Sequence, residues 1–332
     1  MRGSSERISI SAPQFLHSTI LPTSNNFCNT KSSPQSRHLV LVDVIALYNI
    51  KMVSELQETP IKEVEGVLLK LEYKNPTGSV KDRGVPFQIG EAVKNGFKKF
   101  VISSSGNAAI SAAFWTQKMG LGLVIFVSPN VSRGKLKRLK TGNSKVFVDR
   151  RPISGAIRYA KKEKAFNLRA STDPNGFVGY ESLSFELKSQ MGEVGSIFVP
   201  VSSGTLCYGL FKGFEKLSVV PQVHCVQTTS CNLISSKFDS NFNKTSSSLA
   251  DALVAKTSVL EESVTSLIRK SEGFGWVVED REIKKAWNYL KEHGLITSYE
   301  GAAALASVWK ARERDFKLKD PIICLLTGRY YR

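Results

Sequence analysis

From residue 52 onward, short apolar runs alternate with segments of helical period, and this alternation restricts the possible folds more than any other feature. Lys99–Ser103 is one such run, and Gly122–Val127 is continuously apolar, as a strand buried on both faces of a parallel sheet would be. Between them, Ala108–Met119 has an apolar face at helical spacing. The pattern continues to a last predicted strand at Pro321–Leu326. The sequence therefore predicts an α/β protein made of two three-layer αβα domains with mostly parallel sheets.

The chain divides by composition into an N-terminal segment and a presumed folded part. Residues 1–51 are rich in serine, poor in acidic residues and without an amphipathic period. They resemble an organellar transit peptide, but they also fit an extension upstream of a true start at Met52, which we favour. We therefore place residues 1–51 outside the fold. We expect an N-terminal α/β domain over residues 52–185 and a C-terminal α/β domain over residues 186–332.

The chain is strongly basic, with 46 lysines and arginines against 29 acidic residues and a formal net charge of +17. This charge invites a nucleic-acid partner, but the densest basic run, Arg133–Lys140, contains no aromatic side chain. We interpret the run as a solvated basic face that at most attracts anionic substrates. No apolar run reaches the roughly 18–20 residues of a membrane span. The cysteines and histidines have no metal-ligand spacing, so we expect no metal.

One lysine, Lys81, lies in the segment Asn75–Gly84, which connects a predicted strand to a predicted helix at Val85–Val93. Pro76 and Gly78 favour a tight turn, which places Lys81 near the junction of the turn and the helix. Free backbone N–H groups at such a junction favour the neutral amine, and a neutral lysine can act as a nucleophile or form an imine. Position alone does not distinguish it from an ordinary surface lysine.

Three further turns follow predicted strands and carry hydroxyl, amide or glycine residues. Ser103–Ala108 opens a helix and can bind a carboxylate through side-chain and backbone donors. Pro200–Leu206 also opens a helix and can bind a phosphate dianion. Leu325–Gly328 ends the last strand. Turns of this kind are also common helix caps, but ligands of parallel α/β sheets bind where such turns meet.

Taken together, these segments resemble those of the pyridoxal-phosphate-dependent enzymes of the tryptophan synthase β and cysteine synthase family, also called fold type II. The string Asn75–Gly84 resembles the cofactor-lysine motif of that family, and threonine synthases carry a near-identical string with Phe in place of Val80. The resemblance to threonine synthases runs from about Thr59 to Gly328 and includes the Val226-Gln227 strand end.

The resemblance implies a role for each of the turns. Lys81 would hold pyridoxal 5'-phosphate through a Schiff base and, once displaced by the substrate, would act as general acid and base. The other implied cofactor ligands are Asn107 at the ring hydroxyl oxygen, Thr327 at the pyridine nitrogen, and Ser202, Ser203, Gly204 and Thr205 at the phosphate. The implied substrate ligands are Ser104, Ser105 and Gly106 at the α-carboxylate, with Lys135 and Arg169 as nearby cations.

Threonine synthases convert O-phosphohomoserine and water to threonine and phosphate, and the resemblance implies a lyase of this kind. One departure concerns the substrate phosphate. Where threonine synthases have an Asn-Pro-Tyr-Arg segment, this chain has Asp173–Gly176, so that Gly176 replaces the arginine. Lys135 or Arg169 could compensate for this loss. Val80 and the missing arginine favour the alternative of a cysteine synthase-like β-replacement enzyme acting on an O-activated serine.

A third hypothesis, from another class, is a scaffold or nucleic-acid-binding protein that kept the fold and lost catalysis. The charge of the chain motivates it, and the presence of Lys81, Asn107 and Thr327 together opposes it. We therefore expect a small amino-acid substrate, no membrane or nucleic-acid partner, and allow for a homodimer. We expect a cytoplasmic protein, or import into an organelle if residues 1–51 are a transit peptide.

Overall fold

The computed structural model describes residues 58–140 and 142–331, and the predicted extension over residues 1–51 lies outside these ranges. The strands are β1 (Ile61–Val64), β2 (Val67–Lys70), β3 (Lys99–Ser103), β4 (Gly122–Val127), β5 (Ser144–Val148), β6 (Phe166–Asn167), β7 (Ser196–Pro200), β8 (Gln222–Thr228), β9 (Gly275–Val278) and β10 (Ile322–Leu325). The α-helices are α1 (Lys81–Lys94), α2 (Asn107–Lys118), α3 (Arg133–Leu139), α4 (Pro152–Glu163), α5 (Glu181–Met191), α6 (Thr205–Lys216), α7 (Glu261–Lys270), α8 (Asp280–Glu292) and α9 (Tyr299–Glu313).

The strands form two sheets. The larger has six strands in the order β1-β2-β10-β7-β8-β9, and the smaller has four in the order β5-β4-β3-β6. Each neighbouring pair is parallel except β1 with β2. In the larger sheet, β10 lies between β2 and β7, and Ile323 pairs with Leu68 on one side and Ile197 on the other. Segments from opposite ends of the described chain are therefore neighbours in one sheet.

Helices cover both faces of each sheet. In β7, Phe198 packs with residues of α8 and α9, whereas Ile197 and Val199 pack with α5, α6 and α7 on the opposite face, because side chains alternate along a strand. In the smaller sheet, Ile102 packs with α1 and α2, and its neighbour Val101 packs with α4. This three-layer arrangement confirms the predicted α/β fold class. The predicted domain boundary between residues 185 and 186 stays a prediction.

Within residues 58–140 and 142–331, no helix combines the length and the apolar composition needed to cross a membrane. The same ranges contain no group of three or more histidine, cysteine, aspartate or glutamate side chains placed to hold a metal ion.

Candidate active site

A cavity of about 740 Å³ lies where β3, β7 and β10 end, and the turns that follow these strands line it together with the start of α1. Nearly every predicted site residue lines this cavity: Lys81, Ser104, Ser105, Gly106, Asn107, Lys135, Ser202, Ser203, Gly204, Thr205 and Thr327. Arg169 does not, because its side chain is exposed and only the next residue, Ala170, reaches the lining. The structure thus gathers residues from five separate segments around one space.

Lys81 is the first residue of α1, at the end of a tight turn. The turn is closed by a hydrogen bond of 2.8 Å from the Gly78 amide to the Asn75 carbonyl. Gly78 has φ of +88°, a backbone conformation that residues other than glycine rarely adopt. The Nζ atom of Lys81 lies 5.8 Å from the centroid of the Tyr180 ring. The turn predicted from Pro76 and Gly78 is therefore present and directs the amine to the cavity lining.

The next residue, Asp82, is fully buried and fixes the position of the turn. Its carboxylate accepts hydrogen bonds from the Thr77 amide (2.6 Å), the Thr77 hydroxyl (2.8 Å), Ser111 Oγ (2.7 Å) and Trp115 Nε1 (3.0 Å). Burial raises the pKa of Asp82, and the hydrogen bonds from Ser111 and Thr77 oppose this rise. Since Ser111 and Trp115 belong to α2, Asp82 connects the lysine-bearing turn to the helix that begins at Asn107.

Four charged side chains form a group next to the turn, where Asn75 Nδ2 donates to Glu72 Oε2 at 2.9 Å. We call Lys70, Glu72, Arg83 and Glu186 the buried ion cluster. Arg83 donates to Glu72 Oε2 at 2.6 Å and pairs with Glu186 Oε2 at 2.7 Å, while Lys70 pairs with Glu186 Oε1. Burial alone would raise the pKa of Glu186, but the hydrogen bond and charge of Arg83 hold it below the usual value. Each charge has an opposite partner, so the cluster holds β2, α1 and α5 together.

The segment after β10 also packs against the lysine-bearing turn. The Val80 amide donates to the Thr327 carbonyl at 2.9 Å, and the Arg329 amide donates to the Gly78 carbonyl at 2.8 Å. The Tyr331 hydroxyl donates to the Thr77 carbonyl at 3.0 Å. These bonds place Thr327 directly beside Lys81 in space.

The turn after β3, which contains Ser105, Gly106 and Asn107, leads into the N-terminus of α2. Gly106 is the residue before the helix, and its amide donates to Ser104 Oγ at 3.2 Å. A Cβ atom added to Gly106 would meet nothing within 4 Å, so the backbone here is open to the cavity. A Cβ at Gly328 would lie only 3.0 Å from Asn107 Nδ2. Glycine at both positions thus leaves room for a ligand and for the Asn107 amide.

The turn after β7 forms the N-terminus of α6, with Gly204 at φ of +93° as the residue before the helix. Ser203 Oγ and Thr205 Oγ1 are 3.3 Å apart. Ser202 Oγ accepts hydrogen bonds from the amides of Val254 and Ala255, at 3.2 Å each. The Ser202 hydroxyl therefore also holds the 249–255 loop against the cavity, a role that the sequence did not indicate.

The donors around the cavity fit pyridoxal 5'-phosphate. Pro200–Cys207 contains no acidic side chain, and a helix N-terminus with hydroxyl donors suits a phosphate dianion. Lys81 supplies the primary amine, and Asn107 and Thr327 supply an amide and a hydroxyl for the polar atoms of the ring. Each polar group of the cofactor therefore has a complementary residue in the cavity wall.

Several residues line the cavity that the sequence analysis did not single out, among them Arg138, Ser298, Arg329 and Tyr331. Arg138 belongs to the basic run, and it is three residues from Lys135 on α3, a spacing that puts both on one face of a helix. Helical spacing within the basic run was the signal that could have identified it. Arg329 directly follows the predicted Thr327-Gly328 strand end.

The structure also shows why Gly176 is not a simple exchange for arginine. A Cβ atom at Gly176 would lie 2.3 Å from the Ala170 carbonyl oxygen, far inside van der Waals contact. Any larger residue would require this backbone to move. The loop therefore has no room for the expected arginine at position 176, and the nearby Arg169 is exposed to solvent.

Comparison with known proteins agrees with this arrangement. A threonine synthase from Methanocaldococcus jannaschii is 25% identical over 291 residues, which span 82% of this chain and 71% of the relative. An L-serine dehydratase/L-threonine deaminase from Bos taurus is 32% identical over 174 residues, or 48% of this chain and 53% of the relative. The structure of maize serine racemase superposes with a TM-score of 0.74 at 20% identity, covering 88% of this chain and 94% of that one, and confirms the fold.

The model of one protein family, described as pyridoxal-phosphate dependent enzyme, matches residues 53–328. This range contains Lys81 and each turn that lines the cavity up to Gly328. The predicted family membership and the predicted cofactor are thereby confirmed. The chain belongs to the family of pyridoxal-phosphate dependent enzymes, with pyridoxal 5'-phosphate as its cofactor.

Proposed function

We propose that this chain is a lyase that converts O-phosphohomoserine and water to threonine and inorganic phosphate. The observation that carries the proposal is the meeting of Lys81 with two helix N-termini, those of α2 and α6, in one cavity. Such an arrangement provides separate places for a cofactor phosphate and a substrate carboxylate. Similarity to proteins named threonine synthase, over about four-fifths of this chain, supports this choice of substrate.

In this proposal the N-terminus of α2 binds the substrate α-carboxylate. Ser104 and Ser105 offer hydroxyl donors, and Gly106 exposes its backbone to the cavity. The N-terminus of α6 holds the cofactor phosphate through Ser203, Gly204 and Thr205. A carboxylate bound at α2 would orient the substrate relative to Lys81, because Asp82 joins the lysine-bearing turn to that same helix.

Lys81 would move protons between substrate carbons. Bound pyridoxal phosphate supplies an electron sink that acidifies the protons at substrate Cα and Cβ. The free Lys81 amine accepts such a proton and returns it. Overall, the Cγ–O bond breaks and phosphate leaves with the electron pair. Cγ gains one proton, Cβ loses one and bonds to the oxygen of water, and the remaining proton of water stays with phosphate.

A second candidate function is the deamination of serine or threonine. It is favoured by the sequence identity of 32%, over 174 residues, to the bovine L-serine dehydratase/L-threonine deaminase. Its substrates carry no anionic group at the far end of the side chain. The β-replacement reaction on an O-activated serine remains an alternative as well. The expectations about oligomeric state, other partners and cellular location stay predictions.

Incubation of the purified holoenzyme with O-phosphohomoserine tests the proposal directly. We expect threonine and inorganic phosphate in equal amounts. Parallel incubations contain serine or threonine, with detection of 2-oxo acids, and O-acetylserine with sulfide, with detection of cysteine. Release of a 2-oxo acid or cysteine without any turnover of O-phosphohomoserine would refute the proposal and identify the alternative reaction.

A further inference from the structure

Two guanidinium groups and a phenol form a cluster at one side of the cavity. Arg138 on α3 stacks on Tyr331, with its guanidinium carbon 4.2 Å from the ring centroid. Arg329 is an exposed residue, but unlike Arg169 it lines the cavity, and it lies against the lysine-bearing turn, since a Cβ at Gly78 would be 3.5 Å from its Nε atom. The Tyr331 hydroxyl donates to the carbonyl of Thr77 in the same turn. We call Arg138, Arg329 and Tyr331 the cationic cluster.

Both arginines of the cationic cluster act on the same phenol. Burial raises the pKa of Tyr331, while the positive charges of Arg329 and Arg138 oppose that rise. The two guanidinium groups are therefore within electrostatic reach of one hydroxyl. Two like charges close to one point repel each other, and an anion bound beside them would relieve this repulsion.

Asp82 also acts on the Tyr331 hydroxyl, but its carboxylate already accepts hydrogen bonds from Thr77, Ser111 and Trp115. Neither Arg138 nor Arg329 forms an ion pair with a carboxylate of residues 58–140 or 142–331, and Arg138 Nε is buried without a hydrogen-bond partner. Lys135, the cation expected from the sequence, is instead paired with Asp251 at 2.8 Å. A buried donor without a partner is unfavourable, and a ligand with acceptor oxygens would satisfy it.

We propose that Arg138 and Arg329 form a subsite for a phosphate monoester at the far end of the substrate side chain. This inference rests on the proposed function and names the residues that would bind the side-chain phosphate of its substrate. Guanidinium groups match phosphate oxygens in paired hydrogen bonds, and two positive charges match a phosphate dianion. The subsite lies close to Lys81, because Arg329 and Tyr331 both contact the turn that ends at this lysine.

Binding of inorganic phosphate to the holoenzyme, measured by isothermal titration calorimetry, tests the subsite without turnover. The variants are Arg138→Gln and Arg329→Gln, and the matched control is Arg133→Gln. Arg133 is on the same helix as Arg138, is exposed and does not line the cavity. We expect the Kd for phosphate to rise about tenfold or more in each cavity variant. The control should equal the wild type, and cofactor absorbance should be unchanged in all three.

Kinetics with O-phosphohomoserine supply the second measurement. We expect the KM to rise about tenfold in Arg138→Gln and Arg329→Gln, in parallel with the phosphate Kd. If Arg138→Gln does not fold, Arg138→Lys replaces it, since this variant keeps the charge but loses the planar fork. It should weaken phosphate binding by a smaller factor.

The outcomes separate the subsite from the proposed reaction. Weaker phosphate binding in both variants, with no turnover of O-phosphohomoserine by the wild type, would uphold the subsite and refute the reaction. Turnover with an unchanged KM and phosphate Kd in both variants would overturn the subsite and uphold the reaction. Succinate, a dicarboxylate, serves as the competing probe. If it bound more tightly than phosphate, and if this binding were lost in both variants, the assignment to a phosphate monoester would be overturned.

Discussion

The buried ion cluster and the cationic cluster contact the same lysine-bearing turn at different residues, Asn75 and Thr77. The charges of the first cluster are paired with one another, whereas the arginines of the second have no carboxylate partner among the described residues. In the buried ion cluster, Arg83 contacts two carboxylates at 2.6 and 2.7 Å. In the cationic cluster, Arg138 has a buried Nε without a partner among the described residues. The difference separates two uses of arginine. Paired charges position the turn, whereas unpaired charges at a cavity wall are placed to meet a ligand.

Lys81→Ala gives the largest expected effect. It tests whether function can be lost while the buried ion cluster preserves the fold. We expect loss of the visible absorbance of the cofactor-loaded protein and of all turnover, because no other amine takes the place of Lys81. The melting temperature of the apoprotein should change little, since α1 keeps the contacts of Asp82 and Arg83. Lys74→Ala is the control, because Lys74 is exposed and does not line the cavity. Borohydride reduction and peptide mapping that labelled a different lysine would contradict this assignment.

Arg83→Met tests the buried ion cluster directly. Removing one partner of a buried ion pair leaves the other charge uncompensated, which costs about 3–5 kcal/mol of unfolding free energy. Chemical denaturation of the apoprotein measures this loss. Arg158→Met is the matched control, since Arg158 pairs with Asp149 at 3.3 Å while 67% exposed, and exposed pairs contribute little. Equal effects of the two substitutions would show that the buried ion cluster is not a stabilising unit.

A smaller effect is expected from pH, through Glu186. Its pKa is lower in the folded protein than the usual value, so its ionised form stabilises the fold above the pKa of the unfolded chain, about 4.3. This stabilisation is lost as the pH falls through the folded pKa. The difference in unfolding free energy between the wild type and Glu186→Gln should therefore shrink below about pH 4. A difference independent of pH from 7 to 3 would contradict this.

The sequence predicted the fold well where elements are defined by local pattern. β3 and β4 begin and end where their apolar runs do. Three strands were not predicted: β1, β6 and β9. β1 has the sequence Ile-Lys-Glu-Val and is paired antiparallel at an edge, and β6 has only two residues. Short or half-polar strands carry too little periodicity to be distinguished from loops.

The start of α1 was predicted four residues late, at Val85 rather than Lys81. The missing turn of helix contains two charged residues, Asp82 and Arg83, whose burial depends in part on partners far along the chain. Trp115 and Glu186 supply these contacts, and no local pattern encodes them. Tertiary contacts of this kind override local propensity.

The same limitation applies to the site. Resemblance gave the turns that end β3, β7 and β10, because ligand-binding turns keep a recognisable order of residues. The basic run was interpreted as a solvated face, and this holds for Arg133, Lys137 and Lys140, which are exposed. Arg138 instead turns toward the cavity and stacks on Tyr331. That contact joins distant parts of the chain and has no signature in either segment alone.

The hydrogen bond from Tyr331 to Thr77 has a consequence for biosynthesis, because 254 residues separate its two ends. A ribosome adds about 5–20 residues per second, so Lys81 emerges roughly 13–50 s before the segment that completes its surroundings. During that interval β2 also lacks its neighbour β10 in the larger sheet. A nascent chain interrupted before residue 327 would thus carry the lysine but no formed cavity, which delays competence for the cofactor until synthesis of this segment is complete.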